Sequence, residues 1–302
     1  LRFGYSKSLA SGSVAIGGTL GSLIPPSVLF ILYGIFAEQS IARLFIAAII
    51  PGLISLLAYL LVIYIWVRAR PHDAPIPQEE ISRADRLKAL RDCWAIITLF
   101  VVVVGGIYAG LFTPTEAAGI GAAATLVLGL LLGRLNLRRI YDALKESVFQ
   151  SSMIFVIAIG GKLFVNFIAL TGMAAEITHW IDTSGVSVMA VMALIVVLYI
   201  FLGMFLDPIG IILLTLPLTI PIVEAFGFSL IWFGVVVIKL LEIGLVTPPI
   251  GLNVFVIKSI VGEKISLESI FGGVAWFLLA EIFVLAAILG IPALSLFLTA
   301  FV

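Results

Sequence analysis

The sequence predicts an all-α polytopic membrane protein, built as an inverted repeat with broken helices and a re-entrant hairpin. Three observations predict it. Hydrophobic residues make up 62% of the 302-residue chain and charged residues 11%, with a mean hydropathy of +1.28. These values belong to a membrane interior rather than to a soluble core. Several apolar runs reach the roughly 18–20 residues that cross a hydrocarbon core as a helix, and no period-2 alternation recurs to support a β-barrel. The third observation is a motif that occurs twice, Gly-x-x-x-Pro-Pro inside an apolar run, at Gly21–Pro26 and Gly244–Pro249.

Taken in order, residues 6–36 read as a span interrupted at Pro25-Pro26, and 43–67 as a continuous one. Residues 68–92 are polar, with a Pro-rich lead-in and then an amphipathic charged helix, an interfacial arm without chemistry. Spans follow near 94–112 and 114–132. The second opens with "FTPTEAAG", where Thr113 is the N-cap, Pro114 the first helical residue and Glu116 the acid of a capping box. A basic loop over 133–147 leads to a span near 148–170, and 171–185 read as interfacial. Residues 186–226 are apolar with an interruption near Asp207. A second broken span covers 229–260, and 269–302 form the last.

Charge sets the orientation. Of the seventeen Lys and Arg, two lie before residue 10, six between Arg68 and Arg91, four between Arg134 and Lys145, and two at Lys258 and Lys264. The positive-inside rule makes all four places cytoplasmic. Alternation then requires residues 186–226 to enter and leave on one face, as a re-entrant hairpin; two full spans satisfy the same topology. Non-helical backbone at that depth survives only when buried in protein or facing a wet cavity. The C-terminus is predicted to be periplasmic.

The two Gly-x-x-x-Pro-Pro copies are offset by 223 residues, and "ARLFIAAIIPGL" and "LESIFGGVAWFL" open the spans after them at nearly the same offset. One copy runs outward and the other inward, an inverted-topology repeat of the kind found in secondary transporters, whose sites lie where broken helices meet. Each Pro-Pro removes two N–H donors, so carbonyls one turn earlier lose their partners and become free to coordinate a cation. The half-helices that begin after the prolines point positive dipole ends inward, where an anionic group is favoured. The expected ion and substrate site comprises Gly18, Thr19, Gly21, Ser22, Pro25, Pro26 and Ser27 from the first copy. The second copy adds Gly244, Thr247, Pro248 and Pro249, and the hairpin adds Asp207 and Thr215. The bland alternative for the motif is a pair of structural kinks. The hairpin near Asp207 precedes the second copy; its counterpart for the first would fall before Leu1, which predicts that the chain is a C-terminal part of a larger polypeptide.

Other polar residues within the spans admit two readings each. Asp207 is either an ion ligand, direct or indirect, or a helix cap. Lys239 and Glu242, three apart on one helical face, form either an ion pair that fixes the broken helix or a substrate contact. Lys162 and Asn166 share a face; Lys162 contacts a further subunit, lines a groove or snorkels. Cys93 is the only cysteine, and His72 and His179 are the only histidines. Intrachain disulfides and thiolate clusters are therefore impossible, a histidine metal site is disfavoured, and no nucleophile–base pair sits within the spans. An enzyme is not expected, and a channel would want a repeated pore-lining filter.

Three stretches resemble a known family: "GGTLGSLIPPSVLFILYGIFAEQSIARLFIAAIIPGL", "GGIYAGLFTPTEAAGIGA", and "FLDPIGIILLTLPLTIPI" continuing to "EIGLVTPPIGLNVF". They resemble the large membrane (M-type, DctM-like) permease subunit of tripartite ATP-independent periplasmic (TRAP) transporters, in family order across essentially the whole chain. The resemblance implies an elevator-type secondary transporter of the bacterial inner membrane, with Na⁺ as the coupling ion at hairpin tips and broken helices and no other cofactor. It implies two protein partners, a small membrane (Q-type) subunit and a periplasmic substrate-binding (P-type) protein. The latter delivers an organic acid such as a C4-dicarboxylate or sialic acid. Residues 1–67 and 186–302 would be the mobile transport domain and 93–170 the scaffold, with 68–92 and 171–185 as arms. The lipid bilayer is the expected environment and no nucleic acid is expected. A stand-alone ion-coupled carboxylate transporter of the same superfamily is the alternative.

Overall fold

The structure is a computed structural model that describes residues 3–75, 82–173, 176, 179, 183 and 185–301, without the side chains of residues 83, 90, 165 and 169. Every regular element among these residues is helical, and six helical segments are long and apolar enough to cross a membrane. This is an all-α polytopic membrane protein.

The chain forms two compact units, residues 1–75 with 157–302, and residues 76–156. In the larger unit, α1 (Lys7–Leu23) and α2 (Val28–Phe36) are the halves of the first broken helix, followed by α3 (Ile41–Ala69). In the smaller unit lie α4 (Arg83–Asp92), α5 (Trp94–Tyr108), α6 (Pro114–Leu131) and the first part of α7 (Leu137–Thr171). The larger unit resumes with α8 (Val188–Gly203) and α9 (Pro208–Ala225), then α10 (Leu230–Gly244) and α11 (Leu252–Val261), the halves of the second broken helix. It closes with α12 (Leu267–Gly290) and the short α13 (Ala293–Leu296).

The larger unit is organised around α10, in which every residue from Leu230 to Gly244 is buried. A helix apolar on all sides belongs at the centre of a packed bundle. Around it α1 packs on α12, and α10 packs on α3. These two pairings are counterparts at the repeat offset, since α10 follows α1 and α12 follows α3 by that interval. Backbones approach closely where glycines face each other. A Cβ on Gly12 would come within 2.8 Å of the Gly273 Cα, and one on Gly244 within 2.6 Å of the Gly203 Cα. Small residues at membrane helix crossings permit such approach, because lipid offers no hydrophobic force to hold looser contacts together.

The smaller unit is thinly packed by comparison. Most side chains of α5 and α6 are exposed, and Gly106, Ile107 and Ala117 are their buried residues. Such apolar surface is stable only against lipid or other helices. The expected capping box at the start of α6 is present. Glu116 N donates to Thr113 Oγ1 at 3.3 Å, and Thr113 N donates back to a Glu116 carboxylate oxygen at 2.8 Å. Thr113→Ala is expected to cost about 1 kcal/mol of helix stability, readable as a lower melting temperature of the purified protein, while Thr113→Ser should leave it unchanged.

Two expectations change. Residues 137–147, read as part of a basic loop, form the first three turns of α7, because "LRRIYDALKES" contains no Gly or Pro to stop a helix. Helix α4 is charged and exposed around its described circumference rather than amphipathic. The two units divide at 75/76 and 156/157. Gly161 lies against Leu213 of α9, which ties the second half of α7 to the larger unit. The predicted interfacial segment 171–185 lies largely outside the described residues.

Candidate functional site

Both predicted breaks are present. Helix α1 ends at Leu23 and α2 begins at Val28; α10 ends at Gly244 and α11 begins at Leu252. The Pro25-Pro26 and Pro248-Pro249 peptide bonds are both cis. Proline cannot donate the amide hydrogen that a helix needs, and its ring clashes with the preceding turn.

The broken helices touch at equivalent positions. Thr19 Oγ1 lies 2.9 Å from Glu242 Oε1, and the two residues are separated by 223, the repeat offset itself. Residues related by a two-fold pseudo-axis meet their own counterparts only where that axis passes between them. Each of these residues stands two before the glycine of its own motif, so the breaks lie just beyond the crossing. Gly18 of α1 also faces Asn253 in the first turn of α11, a Cβ there coming within 3.9 Å of its amide nitrogen.

At the first break the prolines deprive the Gly21 and Ser22 carbonyls of donors. The Ser27 hydroxyl replaces one, donating to Ser22 O at 2.5 Å, and the Ser22 hydroxyl donates to Thr19 O at 2.6 Å. Among the described residues no donor reaches Gly21 O, and Gly21 faces open space. At the second break Leu245 O accepts from Asn253 N at 3.0 Å, Gly244 O from Thr247 N at 3.1 Å, and Ile243 O from the Thr247 hydroxyl at 2.6 Å. The two copies therefore differ, with one carbonyl bare in the first and the corresponding group occupied in the second. The Ser22, Ser27 and Thr247 hydroxyls all spend their single hydrogen on a backbone carbonyl and keep lone pairs for a cation.

The second halves of the broken helices start uncapped. In the larger unit α1, α3, α8, α9, α10 and α12 each begin with a Ser or Asp whose side chain accepts from a first-turn amide. Helix α2 begins at Ser27, whose hydroxyl is turned to Ser22 O, and α11 begins at Gly251, which has no side chain. First-turn N–H groups of α2 and α11 thus lack a side-chain acceptor, the arrangement that suits a carboxylate ligand. Gly251 adopts φ 61°, a left-handed conformation that favours glycine.

The remaining predicted residues divide. Pro25 and Ser27 are buried, while Pro26, Pro248 and Pro249 are exposed at the breaks. Asp207 is the N-cap of α9, accepting from Ile209 N at 2.9 Å. Thr215 does not line the breaks. It is buried between the arms of the α8–α9 pair, donating to Ile211 O and lying 2.6 Å from the Tyr199 hydroxyl. Lys162 and Asn166 are exposed on α7. Gly244 packs against Gly203 at the end of α8, bringing the helical pair onto the second break.

Lys239 and Glu242 form the expected ion pair at 2.9 Å, wholly buried in α10. Sequence reasoning missed their partners, Glu281, Ser55 and Tyr59, which converge from α12 and α3. One signal was available, since Glu281 is an acid in the middle of an apolar span. Ser55 and Tyr59 carry no such signal.

The family model described as "Tripartite ATP-independent periplasmic transporter, DctM component" matches residues 1–294. The chain is 33% identical over 297 residues to the C4-dicarboxylate TRAP transporter large permease protein DctM of Pseudomonas aeruginosa, a match covering 98% of this chain and 68% of that protein. It is 31% identical over 297 residues to the sialic acid TRAP transporter permease protein SiaT of Haemophilus influenzae, covering 97% of this chain and 47% of that one. Against the isethionate TRAP transporter permease protein DctMQ of Oleidesulfovibrio alaskensis, identity is 32% over 264 residues, or 87% and 41% of the two chains. The chain thus spans about two thirds of the first of these relatives and less than half of the other two.

Proposed function

The chain belongs to the DctM-component family of tripartite ATP-independent periplasmic transporters, and we propose that it forms the Na⁺-coupled transport machinery of the large permease subunit. The substrate is a small organic acid, received from a periplasmic binding protein. The observation that carries this reading is the pair of broken helices that cross at Thr19 and Glu242 and then restart as uncapped helices α2 and α11.

In this reading Na⁺ is held by the bare Gly21 carbonyl with hydroxyl oxygens of Ser22 and Ser27, and on the second copy by Thr247. A hard, small cation wants such oxygens, and helix breaks supply them without a buried charge. The substrate carboxylate takes the free amides at the start of α2 and the Leu252 amide at the start of α11, with Gly18, Gly251 and the prolines leaving room for the backbone to approach. Asp207 holds the turn of the α8–α9 hairpin, which enters and leaves the membrane on one face. Residues 1–67 and 186–302 move as the transport domain of an elevator, and 93–170 serve the scaffold, whose exposed apolar helices suit lipid and a small Q-type subunit. The polar arm 68–92 is cytoplasmic and the C-terminus periplasmic, in the bacterial inner membrane.

Several relatives carry the names of carboxylate or sulfonate transporters, and one is a permease named DctMQ. These names support an anionic substrate and a Q-type partner. The test is uptake into proteoliposomes by the full-length permease with its small subunit and binding protein. Uptake is expected to require both Na⁺ and the binding protein; uptake that persists without Na⁺ overturns the coupling. Ser27→Ala removes one proposed ligand worth about 1 kcal/mol, so the Na⁺ concentration for half-maximal uptake should rise about fivefold, with little change at saturating Na⁺.

A further inference from the structure

Deep in the larger unit three ionisable side chains, Lys239, Glu242 and Glu281, meet with no exposed surface at all. The Lys239 ammonium donates to two oxygens and touches a third. It lies 2.8 Å from Ser55 Oγ, 2.9 Å from Glu242 Oε2, and in contact with Glu281 Oε2. Ser55 in turn donates its own hydrogen to Pro51 O at 3.0 Å. Glu242 is solvated by protein on both oxygens, because its Oε1 also faces the Thr19 hydroxyl at 2.9 Å and the Tyr59 hydroxyl at 3.2 Å. Glu281 is not: both its oxygens are buried and neither takes a hydrogen bond.

The formal charges of this cluster do not cancel. One ammonium and two carboxylates leave a single negative charge at a fully buried site, where an uncompensated ion is very costly. Among the described residues, the elements packed against α12 offer nothing else to balance it. Helix α1 brings only the Thr19 hydroxyl, α3 brings Ser55 and Tyr59, and α10 brings Lys239 and Glu242. From α11 the ammonium of Lys258 is engaged elsewhere, on Gly262 O and Ile265 O. No group of three His, Cys, Asp or Glu side chains with metal-binding geometry occurs among the described residues. The oxygens beside Glu242 are already committed to one another.

We propose that the Lys239–Glu242–Glu281 cluster is a proton-binding site, in which Glu281 holds one exchangeable proton on Oε1. The cluster is then neutral as an ammonium, one carboxylate and one carboxylic acid, and no other bond is made or broken. Both oxygens of Glu242 are hydrogen-bonded and neither oxygen of Glu281 is, so the proton goes to Glu281. The site joins α1, α3, α10 and α12, the four helices that the inverted repeat pairs, beside the Thr19–Glu242 crossing. Losing the proton would put a bare charge at that crossing, so proton occupancy is tied to the packing of the broken helices. The inference rests on this geometry and is independent of the Na⁺ site proposed above.

The test is infrared difference spectroscopy on the full-length permease with its small subunit in lipid, at neutral pH, with and without Na⁺. A neutral-carboxyl stretch that shifts in ²H₂O is expected in the wild type, equivalent to one group per transporter. It should be lost in Glu281→Gln and also in Glu242→Gln, where the ammonium and the one remaining carboxylate already balance, and Na⁺ should leave it unchanged. A second variant, Glu281→Asp, should shift the band rather than abolish it, and it reads the same group if the glutamine variant fails to fold. No such band in the wild type, a band unaffected by both Glu281 variants, or a band displaced by Na⁺ would each overturn the proposal. The last of these would assign the missing charge to a metal cation.

Discussion

Lys239→Met is expected to be the most destabilising single substitution in the larger unit, at about 3–5 kcal/mol, because it leaves the buried Glu242 carboxylate with no cation. Methionine fills much the same volume, so the loss is electrostatic rather than a cavity. The measurement is the midpoint of thermal unfolding of the purified permease in detergent, followed by loss of the monodisperse peak. The triple variant Lys239→Met, Glu242→Gln, Glu281→Gln should recover most of the loss, since an apolar or neutral replacement of a whole buried ionic group is often tolerated. Lys258→Met provides the contrast. Its ammonium donates to two carbonyls near the surface end of α11, and its loss should cost about 1 kcal/mol. A Lys239→Met protein as stable as the wild type would mean that the cluster is not load-sharing at all.

The second large effect is expected at the glycine contact between α8 and α10. Gly244→Ala places a Cβ 2.6 Å from the Gly203 Cα, and Gly203→Ala places one 3.0 Å from the Gly244 Cα. The obstacle in both cases is backbone, which cannot swing aside as a side chain can. Each substitution should cost about 1–3 kcal/mol by overpacking, and both should reduce uptake more than stability by prising the α8–α9 pair off the second break. Gly272→Ala is the control, because a Cβ there meets nothing within 4 Å. It should be neutral or stabilising, alanine being the better helix former by about 1 kcal/mol. Equal losses at all three positions would point to a general intolerance of α-helical change rather than to this contact.

Much of the architecture was legible because its causes are local. The breaks at 24–27 and 245–251 follow from proline chemistry, and the capping box at Thr113 follows from residue types three apart. Charge blocks and apolar runs located the spans to within a few residues. The misread basic segment shows the limit of that approach: Arg138, Arg139 and Lys145 form a charge block, but charge does not stop a helix, and α7 runs through them. Asp207 and Thr215 show another limit. Both are polar residues in an apolar hairpin, and sequence alone does not say which hydrogen-bond partner each will find. The first turned to its own helix start and the second to Tyr199.

The sequence by itself determined the two Pro-Pro breaks and that they are copies. Two successive missing amide hydrogens are a covalent property that no tertiary contact restores, whereas the single Pro51, Pro217 and Pro221 are carried inside helices. Only the tertiary structure decided what those stops present. It left Gly21 O bare while Thr247 N and Asn253 N filled the second copy's carbonyls. It also drew Glu281 to Lys239 across a helix crossing. The physical reason is the same in both cases. A hydrogen bond or ion pair at the centre of a bundle depends on how helices cross and rotate, which is fixed by the summed packing of glycine contacts and buried side chains rather than by any stretch of the chain.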